Sequence, residues 1–146
     1  MNPDSEASIE RIKHWIELAE EDLSVAQHSL TISSNVPYRI IAFHSQQCAE
    51  KYIKALLVFF NIDFPYTHDI EKLLEMTPKK FNLSTQLTSA GDLTDYAVAK
   101  RYPDYYQKLS RDESLNAIRL AEMVKEKITF VFNNLGYNFI EDPQRD

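Results

Sequence analysis

The chain has 146 residues, of which 44% are hydrophobic and 26% charged, and its formal net charge is −6. This length fits one domain with a sizeable core, and the net negative charge excludes a general attraction to nucleic-acid backbones. A single Cys excludes an internal disulfide and a cysteine metal cluster, and only 2 Gly favours helices over a strand-rich fold.

Helix one is predicted from Ser5 to about Leu30. Apolar residues recur there at alternating spacings of three and four, which keeps one face against partner helices along the whole length. They are Ile9, Ile12, Ile16, Ala19, Leu23, Ala26 and Leu30. Ser5 or Asp4 is placed to cap the first turn, and the Ser-, Asn- and Pro-rich segment 31–37 predicts a turn.

Helix two is predicted from about Tyr38 to Asn61, ahead of the helix-breaking Pro65. Its apolar stripe is wider than that of helix one, as expected for a helix with neighbours on two sides. The buried candidates are Ile41, Ala42, Cys48, Ala49, Tyr52, Ile53, Leu56, Leu57 and Phe60. Cys48 lies inside this stripe, so a small buried thiol is favoured over a reactive one.

Three further helices are predicted downstream. A short helix covers about His68 to Met76, a fourth covers about Leu83 to Ala99, and a last long helix covers about Arg111 to Leu135. The fourth has one apolar face, formed by Leu83, Leu87, Ala90, Leu93 and Ala97. The last has apolar residues spaced by four and three, and Gly136 follows it as a C-terminal cap.

Three long and two shorter helices predict an all-α fold, an antiparallel up-and-down helical bundle of about five helices. No stretch alternates with a period of two long enough to form a strand. We expect one domain over residues 1–146, with a frayed polar tail from about residue 141. No secretory signal is visible, and the longest apolar run, Ala55 to Phe60, is far shorter than a bilayer span, so we expect a cytoplasmic protein without membrane contact.

The second predicted helix carries more polar residues than a core helix needs. Glu50 and Lys54 have the favoured orientation for an intrahelical ion pair, worth about 0.3–0.5 kcal/mol, and Gln47 and Lys51 lie on the same broad face. A solvated, salt-bridged face explains this pattern. A polar stripe that lines a groove or a dimer seam, where Lys51 and Arg101 would hold a phosphate, explains it equally well.

Two histidines each permit two interpretations. His44 is either a residue at the edge of the core, hydrogen-bonded to a neighbour, or a pocket residue that binds phosphate or carries protons. At the start of the third helix, Thr67 or His68 is a helix cap, or His68 belongs to the site. The four histidines lack the spacing of metal ligands, so neither a metal site nor a cofactor is expected.

Four short motifs occur in order along the chain: residues 43–51 (FHSQQCAEK), 54–57 (KALL), 67–70 (THDI) and 101–104 (RYPD). Together with the segment Trp15 to Leu23, they resemble the HEPN domain family over roughly residues 8–135. The resemblance implies an all-α bundle that usually forms a homodimer. It also implies a minimal nucleotidyltransferase partner, in modules that often resemble toxin–antitoxin pairs; some branches of the family are ribonucleases, and others are described as nucleotide-binding.

The ribonuclease branches carry an Arg followed, after four to six residues, by a His near the start of the final long helix. Here the matching Arg101 has no His after it, and none occurs anywhere after His68. Metal-independent RNA cleavage needs a group that titrates near neutral pH, so no nuclease motif is evident. Arg39 and His44 have a matching spacing, but five residues rotate a helical side chain by about 140°, away from a shared face.

These observations predict a dimerising module that partners a nucleotidyltransferase and binds nucleotide or RNA, with no catalytic residue assigned. The candidate binding residues are His44, Gln47, Lys51, His68, Arg101, Tyr102 and Tyr105. The Tyr-rich segment 100–106 suits base stacking and phosphate neutralisation, but also a protein interface or simple packing of the loop onto the bundle. The alternative function is a ribonuclease toxin that uses Arg101 and a His from elsewhere in the dimer.

Overall fold

Helices account for all the regular structure in residues 5–99 and 108–140, which are the residues that this computed structural model describes; the side chains of residues 98 and 99 are not among them. The α-helices in this part of the chain are α1 (Glu6–Ser29), α2 (Tyr38–Phe59), α3 (Ile70–Met76), α4 (Leu83–Gln86), α5 (Thr94–Ala99) and α6 (Arg111–Asn134). The predicted all-α helical bundle is therefore confirmed. The predicted tail from residue 141 and the Tyr-rich segment lie outside the described residues.

The first helix forms as its sequence pattern predicts. Ser5 is its N-cap, and the Ser5 side chain accepts a hydrogen bond of 3.2 Å from the backbone N–H of Ser8. The central part of the predicted seam is buried, namely Ile12, Ile16, Ala19, Leu23 and Ala26. Ile9 and Leu30, at the two ends, are only half-buried.

The centre of the bundle is α2, which packs against α1 on one side and α6 on the other. Every residue from Tyr52 to Phe59 is buried, so no side of this segment faces solvent. The helix ends at Phe59 because Asn61 adopts a left-handed φ of 55°. The N–H of Ile62 then bonds the carbonyl of Leu57 at 2.9 Å, which satisfies a carbonyl at the helix end.

The predicted fourth helix is not continuous. Residues 83–99 form α4, a 3₁₀ helix (Thr88–Leu93) and α5 instead of one helix from Leu83 to Ala99. The Thr88 hydroxyl donates to the carbonyls of Ser84 and Thr85, and Leu87 leaves the α-helical region at φ −114°. The apolar face survives the interruption, since Leu83, Leu87, Ala90, Leu93 and Ala97 are all buried.

The last long helix has caps at both ends. The Ser110 hydroxyl accepts a 3.1 Å hydrogen bond from the N–H of Glu113 at the start of α6. At its end Gly136 has φ +88°, its N–H bonds the carbonyl of Asn133, and the N–H of Tyr137 bonds that of Phe132. This is the Schellman arrangement, and it confirms the predicted glycine cap.

None of the helices in the described part of the chain is both long and apolar enough to cross a membrane.

Candidate functional site

Three polar residues near the middle of α2 are buried. Gln46 has no exposed surface, Glu50 is 3% exposed and Lys54 is 6% exposed. The predicted ion pair does form, with 3.2 Å between Lys54 Nζ and Glu50 Oε2. The interpretation of a solvated face is wrong for these two residues, whereas Gln47 and Lys51 are half-buried. The physical reason is the central position of α2, which places neighbouring elements over the side that the spacing alone assigns to solvent.

One cluster, called here the Asp22 cluster, consists of Asp22, His44 and Lys51. The Asp22 carboxylate comes from α1 and is nearly buried. Its Oδ1 lies 2.7 Å from Nδ1 of His44, and its Oδ2 lies 2.5 Å from Nζ of Lys51. Two α2 side chains seven residues apart therefore converge on one acid, which fixes the register of α1 against α2.

The orientation of His44 determines which ring nitrogen faces outward. A carboxylate oxygen accepts, so Nδ1 of His44 donates to Asp22, and in the neutral ring Nε2 is then an acceptor. Within the described residues Nε2 has no hydrogen-bond partner, and the side chain is 22% exposed. His44 is therefore hydrogen-bonded to a neighbour, as the first of the two interpretations expects. Its other ring nitrogen, Nε2, faces solvent.

A second cluster, called here the Glu50 cluster, consists of Glu50, Gln46, Lys54 and His68. Glu50 Oε1 lies 2.7 Å from Nδ1 of His68 and accepts from Nε2 of Gln46 at 3.2 Å, while Oε2 pairs with Lys54. Gln46 also donates to the backbone carbonyl of His68 at 3.1 Å. This cluster ties the segment before α3 to the centre of the bundle.

Lys54 also lies over two aromatic rings. Its Nζ is 5.6 Å from the centre of the Trp15 ring and 5.4 Å from that of Phe64, which are cation–π distances. The buried ammonium is thereby compensated by one carboxylate and two ring faces, which offsets its loss of hydration.

The capping interpretation of Thr67 and His68 is wrong. The N-cap of α3 is Asp69, whose Oδ1 accepts a 3.1 Å hydrogen bond from the N–H of Lys72. Thr67 accepts from the N–H of Asp69, which precedes the first helical residue, and His68 points its Nδ1 at Glu50. Asp69 is the cap because its short carboxylate reaches the third N–H of the helix.

The described candidate residues thus divide between two neighbouring clusters. His44 and Lys51 belong to the Asp22 cluster and His68 to the Glu50 cluster. Gln47 donates from Nε2 to Oε1 of Gln46 at 2.6 Å and so extends the second cluster. Arg101, Tyr102 and Tyr105 lie outside the described residues.

Sequence reasoning missed one acid and one amide of the clusters, Asp22 and Gln46. Asp22 lies three residues after Ala19 and four before Ala26, so it occupies a seam position of helix one. Gln46 likewise lies four residues after Ala42 and four before Glu50, inside the apolar stripe of helix two. A polar residue at a core position needs a buried hydrogen-bond partner. The positions of Asp22 and Gln46 within the apolar spacing could therefore have identified both residues as members of buried polar clusters.

A third set of polar groups lies beside the Asp22 cluster. The hydroxyl of Tyr52 donates to Glu20, which also pairs with Lys125 of α6 at 2.7 Å. Burial raises the pKa of Tyr52, and the bond to Glu20 raises it further.

Burial also raises the pKa of the Cys48 thiol, with smaller contributions from the negative charges of Glu20 and Asp22. The prediction of a buried Cys48 is confirmed.

No group of three or more His, Cys, Asp or Glu suited to a metal ion occurs in residues 5–99 and 108–140. The two clusters contain imidazoles, ammonium groups and amides that are oriented by the carboxylates of Asp22 and Glu50. Such groups donate hydrogen bonds to anions or transfer protons.

The fold and the buried polar clusters place this protein among the small all-helical bundle domains. The sequence model of the HEPN domain matches residues 12–131, and the chain belongs to the HEPN domain family. The motifs at residues 43–51, 54–57, 67–70 and 101–104 all lie within that match.

Individual proteins support this assignment. The chain is 30% identical to the protein named "Putative toxin MJ1304" from Methanocaldococcus jannaschii, over 86% of this chain and 90% of that protein. Its fold is similar to the crystal structure of TT1696 from Thermus thermophilus, with a TM-score of 0.72 and 28% identity over 82% of this chain and 97% of that one. It is also similar to ST0689, an archaeal HEPN homologue, with a TM-score of 0.52 and 34% identity over 80% and 97% of the two chains.

Proposed function

We propose that this protein is a single-domain, dimerising HEPN module of the cytoplasm that partners a minimal nucleotidyltransferase and binds nucleotide or RNA. The proposed binding surface consists of His44, Gln47 and Lys51 on the polar face of α2 and of His68 in the segment before α3. The observation that carries the proposal is the convergence of His44 and Lys51 on one nearly buried carboxylate. Two cationic or ionisable side chains are thereby held in fixed positions while each keeps part of its surface in solvent.

The donors at this face fit a phosphate group. Lys51 is 20% exposed, and its ammonium has three donors, of which one is engaged with Asp22 within the described residues. The carboxylate therefore orients the ammonium without using all its donors. In this proposal Arg101 adds a bidentate phosphate donor, and Tyr102 and Tyr105 stack on bases.

Calorimetric titration with ATP, with other nucleotides and with single-stranded RNA tests the binding part of the proposal. We expect saturable binding of at least one of these ligands by the wild-type protein. A flat trace with all of them would reject it.

The assembly part of the proposal is supported by membership of a family whose domains usually dimerise and often pair with nucleotidyltransferases. Light scattering tests the homodimer, since the expected mass is twice the chain mass of 17.0 kDa. A monomer at all protein concentrations up to the micromolar range would contradict it. Copurification with a minimal nucleotidyltransferase encoded by a neighbouring gene tests the partner.

A ribonuclease toxin is the second candidate function. The similarity to the protein named "Putative toxin MJ1304" favours it. The outward Nε2 of His44 favours it too, because a carboxylate-oriented imidazole is the arrangement of a general base. Labelled RNA incubated with the wild type, Arg101→Ala and His44→Ala separates the candidates. Cleavage that depends on both residues supports the toxin, and the absence of Arg101-dependent cleavage rejects it.

A further inference from the structure

We infer that binding of a phosphate group to the Asp22 cluster takes up one proton, so that affinity for a phosphodiester falls as the pH rises through neutrality. This inference rests on the proposed function and adds a regulatory property to the same site. It follows from the orientation of His44 against Asp22, with 2.7 Å between Nδ1 and Oδ1.

A neutral His44 offers a phosphate group an acceptor and no donor. In the neutral imidazole the single N–H is on Nδ1, where Asp22 accepts it, and Nε2 is left as an acceptor. The free oxygens of a phosphodiester are also acceptors. Two acceptors repel, so His44 bonds a phosphate only after Nε2 gains a proton.

The other neutral tautomer gives the same result. With the proton on Nε2, Nδ1 becomes an acceptor that faces the ionised oxygen of Asp22 at 2.7 Å. That contact is stable only if Asp22 is itself protonated. The Asp22–His44 pair must therefore gain one proton in either tautomer before it presents a donor to the phosphate.

The surrounding charges favour a phosphate once the proton is bound. Charged side chains of three packed helices lie here: Asp22 and Glu20 of α1, Lys51 of α2 and Lys125 of α6. They form two ion pairs, Asp22 with Lys51 and Glu20 with Lys125, whose formal charges cancel. Protonation of His44 then gives the group a net charge of +1, which attracts an anion.

Calorimetry with a single-stranded 2′-O-methyl oligonucleotide without terminal phosphates measures the coupling. Internal phosphodiesters keep a constant charge between about pH 6 and pH 8, whereas a terminal phosphate titrates near pH 6. Titrations in buffers of different ionisation enthalpy give the number of protons taken up. We expect uptake to approach one proton at the upper end of this range, with affinity falling by up to about tenfold per pH unit.

Variants assign the proton to its side chain. His44→Gln should abolish the uptake, and His14→Gln, an exposed position of α1 outside both clusters, should retain it. Circular dichroism establishes that each variant is folded.

Asp22→Asn gives a signature that a purely structural role would not produce. The side-chain amide introduced by this substitution can donate to Nδ1 of His44, so the neutral imidazole then carries its proton on Nε2 and presents a donor without proton uptake. We therefore expect this variant to bind with little dependence on pH between about pH 6 and pH 8.

The outcomes are distinguishable. Binding by the wild type without proton uptake, or uptake that survives in His44→Gln, overturns this inference and leaves the proposed function standing. Binding of nucleotides but of no single-stranded oligonucleotide at any pH in the range also overturns this inference alone. Failure of the wild type to bind nucleotides and oligonucleotides alike overturns the proposed function, and with it this inference.

Discussion

Among individual residues, the energetics of the site depend on how its buried charges are compensated. Glu50 accepts from Lys54, His68 and Gln46, so its carboxylate oxygens are satisfied although water is excluded. An unpaired ion at such a position costs several kcal/mol. The spacing of Glu50 and Lys54 predicted their pairing, but their burial could not be read from it, because burial depends on which elements pack over α2.

Removing one member of this cluster should leave a buried charge without a partner. We expect Glu50→Ala to lower the free energy of unfolding by about 3–5 kcal/mol, because Lys54 loses its counter-ion in a dry environment. Urea denaturation measures the change. The matched control Glu126→Ala, at an exposed position of α6, should change stability by less than about 0.5 kcal/mol. Equal effects of the two substitutions would contradict the account of the Glu50 cluster.

Tyr52 gives a prediction for alkaline pH. Burial raises its pKa in the folded state, so the neutral phenol stabilises the fold at pH values below about 10, the ordinary pKa of Tyr. As the pH rises above that value the unfolded chain releases a proton that the folded chain retains, and stability is lost.

Urea denaturation at increasing pH, on both sides of about pH 10, tests this effect in the wild type and in Tyr52→Phe. We expect the wild type to lose stability more steeply than Tyr52→Phe, by up to about 1.4 kcal/mol per pH unit. Tyr66→Phe, whose ring is exposed, should follow the wild type. Parallel curves for Tyr52→Phe and the wild type would show that Tyr52 ionises as freely in the folded protein as in the unfolded chain.

For the helices, the ends of α1 and α6 were more predictable than the continuity of the fourth predicted helix. Ser5, with Asp4 as the alternative, and Gly136 were predicted as caps because their chemistry is local to a few residues. The cap of α3 was assigned wrongly, since Asp69 takes the place predicted for Thr67 or His68. The interruption of the fourth helix was missed, since it depends on the Thr88 hydroxyl competing for the carbonyls of Ser84 and Thr85 while the apolar face stays in contact with the core. A periodic apolar pattern is compatible both with one continuous helix and with the interrupted helix that the structure shows.

The two glycines of the chain form a matched pair for testing the cap of α6. Gly136→Ala should destabilise the protein by about 1 kcal/mol, because Gly136 has φ +88° and a Cβ is disfavoured there. Gly91→Ala should be neutral or stabilising by up to about 1 kcal/mol, since its Cβ would meet only the Cβ of Glu71 at 3.9 Å. Thermal unfolding compares the two variants, and an equal loss of stability in both would count against the proposed strain at Gly136.

Over the whole molecule, the class of fold followed from the sequence because apolar periodicity over α1, α2 and α6 requires a common core. The family also followed from the motifs, as the match over residues 12–131 confirms. The two polar clusters could not be predicted from the sequence. Asp22 and Lys51, for example, are 29 residues apart and meet only because α1 and α2 pack together in one particular register. The same docking brings His44 to Asp22 and orients its Nε2 toward solvent.

The most direct test of the central claim is fluorescence anisotropy of a labelled single-stranded 2′-O-methyl oligonucleotide with the wild type, Lys51→Gln and Lys72→Gln. Lys51 lies on the polar face of α2, whereas Lys72 is exposed on α3 outside both clusters. We expect Lys51→Gln to weaken binding by about tenfold or more, since a charge-assisted hydrogen bond to phosphate is lost, and Lys72→Gln to bind as the wild type does. Equal binding by the two variants, with both folded, would contradict the assignment of the binding surface to α2.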